Sequence, residues 1–235
     1  MILPEKNICE RVFPKNLAGF VTNYYTLKGV TVLANTSVAT IEKQDGVFHV
    51  KTAAGKELQA DGVIAGIGIV PDIELAQSAG IKTENGIIVN EFLQTSQADI
   101  FAAGDVANFY NPALGKRVRV EHEDNALTMG KTAGHNMAGN PSPYNHLPSF
   151  YSDLFDLGYE AVGELDSRFT TIEDWKVDDS TRREKFREGV VYYLHENRVR
   201  GVLLWNTWSQ VDNARALIAE KGPFTPENVK GLLPK

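Results

Sequence analysis

A chain of 235 residues with a hydrophobic fraction of 43% can build one large or two ordinary cores. A net charge of -6 gives no basic stripe for nucleic acid, and the lone cysteine, Cys9, excludes an internal disulfide or a Cys-x-x-Cys pair. The longest apolar runs, Gly62 to Pro71 and Gly201 to Trp205, fall short of the roughly 20 residues that cross a bilayer, and no basic-flanked leader follows Met1, so no membrane association and a cytoplasmic location are expected.

Leu17, Phe20, Val21, Tyr24 and Leu27 recur at three- and four-residue spacing, which predicts a helix from Leu17 to Lys28 that stops at Gly29. Short strands are expected at Val30 to Leu33, Ser37 to Glu42, Val47 to Thr52 and around Leu58, with turns at Asp45-Gly46 and Ala54-Gly55. Asp61 to Ala65 reads as a strand buried on both faces, followed by a break through Pro71 and a short helix from Asp72 to Ser78. Ile87 to Val89 and Ile100 to Ala103 read as strands, the second ending at Gly104-Asp105, and a longer helix is expected from about Glu121 to Met137. Its small residues Ala126, Gly130, Ala133 and Gly134 call for a close-packed neighbour. Asn140-Pro141-Ser142-Pro143 is the clearest linker. Beyond it, Tyr159 to Gly163, Gly189 to His195 and Val199 to Trp205 read as strands, the last two joined at Glu196-Asn197. Gln210 to Glu220 reads as a helix, and the charged stretch Lys176 to Glu188 as a solvated loop.

The most informative string is Thr95-Ser96-Gln97-Ala98-Asp99-Ile100-Phe101-Ala102-Ala103-Gly104-Asp105-Val106. A Gly-Asp at the carboxyl end of a strand lets a ligand approach backbone and offers a carboxylate to a polyol. The same pair equally serves to turn the chain, with Asp105 capping the next segment. Both readings stand on chemistry alone.

This string resembles the second flavin-binding motif of the two-dinucleotide-domain oxidoreductases. Ala65 to Pro71, containing Gly68, is similar to the motif that connects their nicotinamide and flavin domains. Arg119 to Ala126, Phe150 to Asp153 and Gly158 to Gly163 further resemble the apoptosis-inducing factor and bacterial ferredoxin- or rubredoxin-reductase-like branch of these pyridine nucleotide-disulfide oxidoreductases.

The resemblance implies an α/β fold: an incomplete two-dinucleotide-domain (FAD/NAD-binding) flavoprotein followed by an α+β interface domain. Residues 1–59 would close a NAD-binding domain, 60–144 would close an FAD-binding domain, and 145–235 would form the interface domain. Gly104 and Asp105 would hold the ribityl or pyrophosphate region of FAD, and Glu121, His122 and Glu123 would begin a helix whose amides meet the pyrimidine edge. Tyr151 stands where the family usually has a flavin-facing tryptophan, so the strength of any stacking there is in question. Glu160 and Asn206 would approach the nicotinamide, and Gly68 would lie near the cofactors. Glu5 would accept from the adenosine ribose with Arg11 beside it, which favours NADH over NADPH. No residue reads as a general acid, base or nucleophile, and no metal site is expected.

The implied activity is electron transfer from NADH through FAD to a ferredoxin- or rubredoxin-type protein or to a small molecule. A non-enzymatic remnant or interaction module that binds no cofactor is the alternative. Neither glycine-rich pyrophosphate fingerprint of the family occurs: Gly66-x-Gly68 lacks the third glycine. Exposed sheet edges and apolar faces are therefore expected, completed by a homodimer or an N-terminal polypeptide. The chain alone should aggregate, swap segments or associate; size-exclusion chromatography with light scattering checks this, and a compact monomer speaks against it.

Overall fold

The computed structural model describes residues 1–176 and 186–234, in two compact units: Met1–Ile69 with Asp166–Arg168, and the remainder. The 177–185 portion of the charged loop expected from Lys176 to Glu188 lies outside the described residues.

In the first unit, helix α1 (Lys15–Leu27) buries Leu17, Ala18 and Val21. Its end is set by Gly29 at φ +90°, which lets the Gly29 amide reach Thr26 O and the Val30 amide reach Tyr25 O, each at 3.0 Å. Those two bonds satisfy carbonyls that a helix end otherwise leaves open. The predicted strand at Val30 to Leu33 shrinks to one parallel bridge, Ile2 to Leu33, flanked by backbone bonds such as Leu33 N to Met1 O at 2.8 Å. Strands β1 (Val38–Gln44), β2 (Val47–Thr52) and β3 (Glu57–Ala60) form an antiparallel meander. Asp45 and Gly46, at φ +50° and +87°, make the hairpin turn that their sequence calls for.

The strand expected at Asp61 to Ala65 does not form. Residues 61–70 have no regular structure and are exposed throughout, with Ile64 and Ile67 above 90% accessible. An interior parallel strand takes its stability from neighbours on both edges and faces, and no described strand pairs with this one.

In the second unit, helix α2 (Glu74–Ser78) leads into a four-stranded sheet of β4 (Thr83–Glu84), β5 (Gly86–Ile88), β6 (Ala107–Asn111) and β7 (Lys116–Val118). The strand expected at Ile100 to Ala103 is reduced to a single bridge, Gln94 to Phe101, and strand pairing resumes one turn later at β6. Between them Gly104–Val106 make a 3₁₀ turn, reached because Gly104 adopts φ +78°. Helix α3 (Glu123–Met137) buries Asn125, Met129 and Ala133. The close packing expected along its small residues occurs at Ala126, whose Cβ would lie 3.7 Å from a Cβ on Gly104; Gly130 and Gly134 instead face open space.

The chain continues into a five-stranded antiparallel sheet in the order β10-β11-β12-β9-β8: β8 (Ser149–Leu154), β9 (Leu157–Gly163), β10 (Thr170–Trp175), β11 (Gly189–His195) and β12 (Arg198–Trp205). Helix α4 (Val211–Ala219) packs Ala214, Leu217 and Ile218 into the core over this sheet, and the short α5 (Pro226–Val229) adds Val229. Trp205, wholly buried, satisfies its indole N–H on Phe186 O at 2.8 Å; burying a side chain of this size contributes about 2–3 kcal/mol.

Gly163 on β9 and Gly201 on β12 face each other in register where the backbones crowd. A methyl at Gly163 would collide with the Arg200 carbonyl oxygen, and Gly163 sits at φ +78°. Gly163→Ala is expected to cost at least about 2 kcal/mol, visible as a lowered Tm in a circular-dichroism melt; an unchanged Tm would refute it.

Candidate functional site

Helix α3 starts after His122, whose extended backbone (φ -125°, ψ 144°) puts it at the N-cap position, and no side chain caps the helix. The first amides of a 15-residue helix are therefore left as donors, with the positive end of the helix dipole behind them. The helix begins two residues later than expected: Glu121 lies outside it, its carboxylate 2.6 Å from the Arg119 guanidinium, and Glu123 opens the first turn.

Opposite this helix start runs β8, and between residues 121–127 and 149–153 lies a cleft of about 680 Å³. It brings together four of the residues singled out in the sequence: Glu121, His122, Glu123 and Tyr151. The His122 ring stacks on Phe150 at 4.3 Å, 12° from parallel. Burial pushes the His122 imidazole below its ordinary pKa, while Asp105, Glu121 and Asp124 pull the other way. The net effect favours the neutral ring. Asp105 is exposed on the turn that packs against α3, and its carbonyl accepts from Arg119 Nη1 at 3.0 Å. Gly104 N donates to Met129 Sδ at 3.1 Å, which ties this turn to the helix.

Tyr151 is 66% exposed and pairs directly across the strands with Glu160, so the two side chains share one face of the sheet. Glu160 Oε2 is buried and has no hydrogen-bond partner among the described residues. Asn206 is already engaged: its Oδ1 accepts from Gly158 N at 2.7 Å and its Nδ2 donates to Arg187 O at 2.7 Å. In the first unit Glu5 and Arg11 form an ion pair at 2.5 Å, with Arg11 largely exposed. Gly68, at φ +87°, has nothing within contact distance of where a Cβ would sit.

Sequence reasoning missed Phe150 as the partner of His122, and it missed the groups around Asp124. Asp124 Oδ2 lies 2.7 Å from His146 Nε2, 3.0 Å from Arg215 Nη2 and 2.9 Å from Ser149 N. A carboxylate only accepts, so His146 carries its proton on Nε2. Burial raises the Asp124 carboxyl, but the Ser149 amide, His146 and Arg215 outweigh it and hold the group below its ordinary pKa. His146 and Arg215 lie 22 and 91 positions from Asp124, and no local pattern links them.

The pyridine nucleotide-disulphide oxidoreductase family matches residues 1–130, and the C-terminal family of mitochondrion-associated apoptosis-inducing factor matches 133–178 and 173–220. The chain is 34% identical over 230 residues to apoptosis-inducing factor 1, mitochondrial, of Dictyostelium discoideum, covering 94% of this chain and 43% of that protein. It is 32% identical over 222 residues to putidaredoxin reductase of Pseudomonas putida, covering 93% and 51% respectively. The solved covalent complex of putidaredoxin reductase with putidaredoxin superposes with a TM-score of 0.82 at 28% identity, over 96% of this chain and 53% of that one. The chain thus spans about half the length of the curated relatives it matches.

Because the folded state lowers the Asp124 pKa, this carboxylate contributes stability above its ordinary value of 3.8 and loses it as pH falls through the folded value. Asp124→Asn is expected to lower stability at pH 7 and to flatten the decline below about pH 4. Urea melts between pH 2 and 7 check this; an acid limb as steep as that of the wild type would refute it.

Proposed function

We propose a flavin-dependent function on one premise: the chain belongs to the pyridine nucleotide-disulphide oxidoreductase family. The observation that carries the reading is the uncapped start of α3 opening into a cleft faced by an exposed aromatic. Those residues fit one end of a flavin. The helix amides suit its electron-rich pyrimidine edge, Tyr151 offers a ring to lie against it, and Asp105 offers a carboxylate to its polyol chain. Burial of His122 disfavours a positive charge of its own beside that edge. When bound, FAD supplies the redox chemistry, accepting a hydride equivalent and passing electrons on. This chain's own residues bind and orient; none is assigned as an acid or base.

The full reading is an NADH-to-FAD-to-acceptor oxidoreductase. Putidaredoxin reductase, captured with putidaredoxin, supports a ferredoxin-type protein as acceptor. Glu5, paired with Arg11 in the first unit, supports NADH over NADPH through its carboxylate, which suits a ribose hydroxyl better than a phosphate. With Asn206 engaged in holding Gly158 and Arg187, the nicotinamide assignment in the second unit rests mainly on the unpartnered Glu160 oxygen. The reading keeps the three-part division at residues 59/60 and 144/145. A free Cys9 suits a reducing compartment, so the cytoplasm is part of it. No helix among the described residues is long and apolar enough to cross a membrane.

A second reading, a module that binds no cofactor, is favoured by the sequence's lack of a glycine-rich pyrophosphate fingerprint. Titrating the purified chain with FAD, followed by flavin absorption and fluorescence, separates the two. Saturable binding with bleaching by NADH is expected on the first reading, and Tyr151→Ala should weaken that binding about threefold to tenfold. A chain that leaves the flavin spectrum unchanged would place it in the second class.

A further inference from the structure

Four hydrogen bonds converge on one oxygen, Asp124 Oδ2, and they come from two segments distant in sequence. Ser149 N and Oγ donate at 2.9 and 3.3 Å from the start of β8, His146 Nε2 lies at 2.7 Å, and Arg215 Nη2 reaches in from α4 at 3.0 Å. Arg215 does more than neutralise a charge: its Nε also donates to Leu147 O at 2.9 Å, so one guanidinium grips both Asp124 and the segment leading into β8. The Asp124 side chain is 32% exposed and the Arg215 side chain 24%, a setting less screened than an open surface pair. Asp124 and Ser149 line the cleft, while His146 and Arg215 do not.

We propose that Arg215 and His146 are positioning residues: acting through Asp124 and Ser149 they hold the first turn of α3 against β8, and so set the His122–Phe150 spacing that the cleft presents to a flavin. The ligand half of this rests on the flavin reading above; the clamp half rests on geometry. Helix α3 has a second, independent tether on its inner side. Asn125 Nδ2 donates to Val120 O at 3.1 Å, and the Tyr144 hydroxyl donates to Asn125 Oδ1 at 2.9 Å. Losing the Arg215 grip therefore leaves the helix formed and Asp124 bonded to Ser149, but without the guanidinium that fixes Asp124 and the segment before β8 relative to one another.

Proton NMR of the histidine rings reads the clamp directly, because the ring current of Phe150 shields His122 and the chain has only 5 histidines to assign. In Arg215→Ala the His122 ring signals should move toward those of an exposed histidine. Tyr192→Phe, which deletes the hydroxyl that accepts from Leu233 N in the same unit, should leave them in place. His146→Gln, whose amide can still donate to Asp124, should stay nearer the wild type than His146→Ala. In parallel, FAD affinity should fall about tenfold in Arg215→Ala, by analogy with the loss that follows removal of an outer partner of a metal-holding residue. An unmoved His122 overturns the proposal, as does unchanged affinity in a chain that binds FAD. If the wild type binds no FAD, the flavin reading fails and the His122 signals alone decide the clamp. If Arg215→Ala does not fold, Arg215→Lys takes its place with the same outcomes, since it keeps the charge but gives up the fork that also holds Leu147.

Discussion

What the cleft presents depends on where the first turn of α3 sits, and that turn has no side-chain cap. A helix start of this kind ordinarily frays, because its leading amides gain nothing from the chain. A Ser or Asp at the N-cap position would stop the fraying by accepting those amides, and would thereby remove the donors that face the cleft. Asp124 solves both demands from inside the turn. Its negative charge suits the positive end of the helix, and its oxygen is spent on β8 and α4 rather than on the helix's own amides. The amides stay available while the turn stays put.

Much of the fold is written locally. Asp45-Gly46 specifies a hairpin because both residue types tolerate the positive φ that such a turn needs, and Gly29 ends α1 for the same reason; at Glu196-Asn197 only Asn197 has that tolerance, and Glu196 takes φ +51° without it. Gly189 to His195 reads as a strand and forms β11, buried from Gly189 to Leu194 with His195 exposed. Asp61 to Ala65 carries the same kind of signal and is exposed and irregular. The difference is not in the residues but in what lies beside them: β11 has β10 and β12 on its edges, while the 61–65 segment has no paired neighbour among the described residues. Hydrophobic pattern reports what a strand would bury, not whether anything is there to bury it against. Strands β6, β7, β8 and β10 are hard to read for the opposite reason, being short or interrupted by polar residues that pair across the sheet.

The site divides along a similar line. Glu121, His122, Glu123 and Tyr151 are legible as motif residues, and the fold brings them around one cleft. Glu5 and Arg11, six positions apart, do meet, because the chain turns back on itself between Cys9 and Phe13. The supporting groups are not legible. His146 and Arg215 are ordinary polar residues in a linker and on a helix, and their meaning arises only when α4 folds back over the sheet. Phe150 reads as a strand residue until the His122 ring is found stacked on it.

On the flavin reading, this division has a chemical consequence. A dinucleotide is held mainly at its pyrophosphate, by glycine-rich turns whose backbone amides cradle the anion, whereas the electronic character of the isoalloxazine is set by groups beside its ring. The sequence holds no such turn, and the residues gathered here lie where ring contacts would be made. Affinity and tuning then reside in separate stretches of sequence. A helix that offers amides to one ring edge stabilises negative charge there, and it does so most when the flavin is reduced. A clamp that fixes the helix start therefore acts on the reduced state more than on the oxidised one. On this view the Asp124 cluster bears on the energy of electron transfer as well as on the grip on the cofactor.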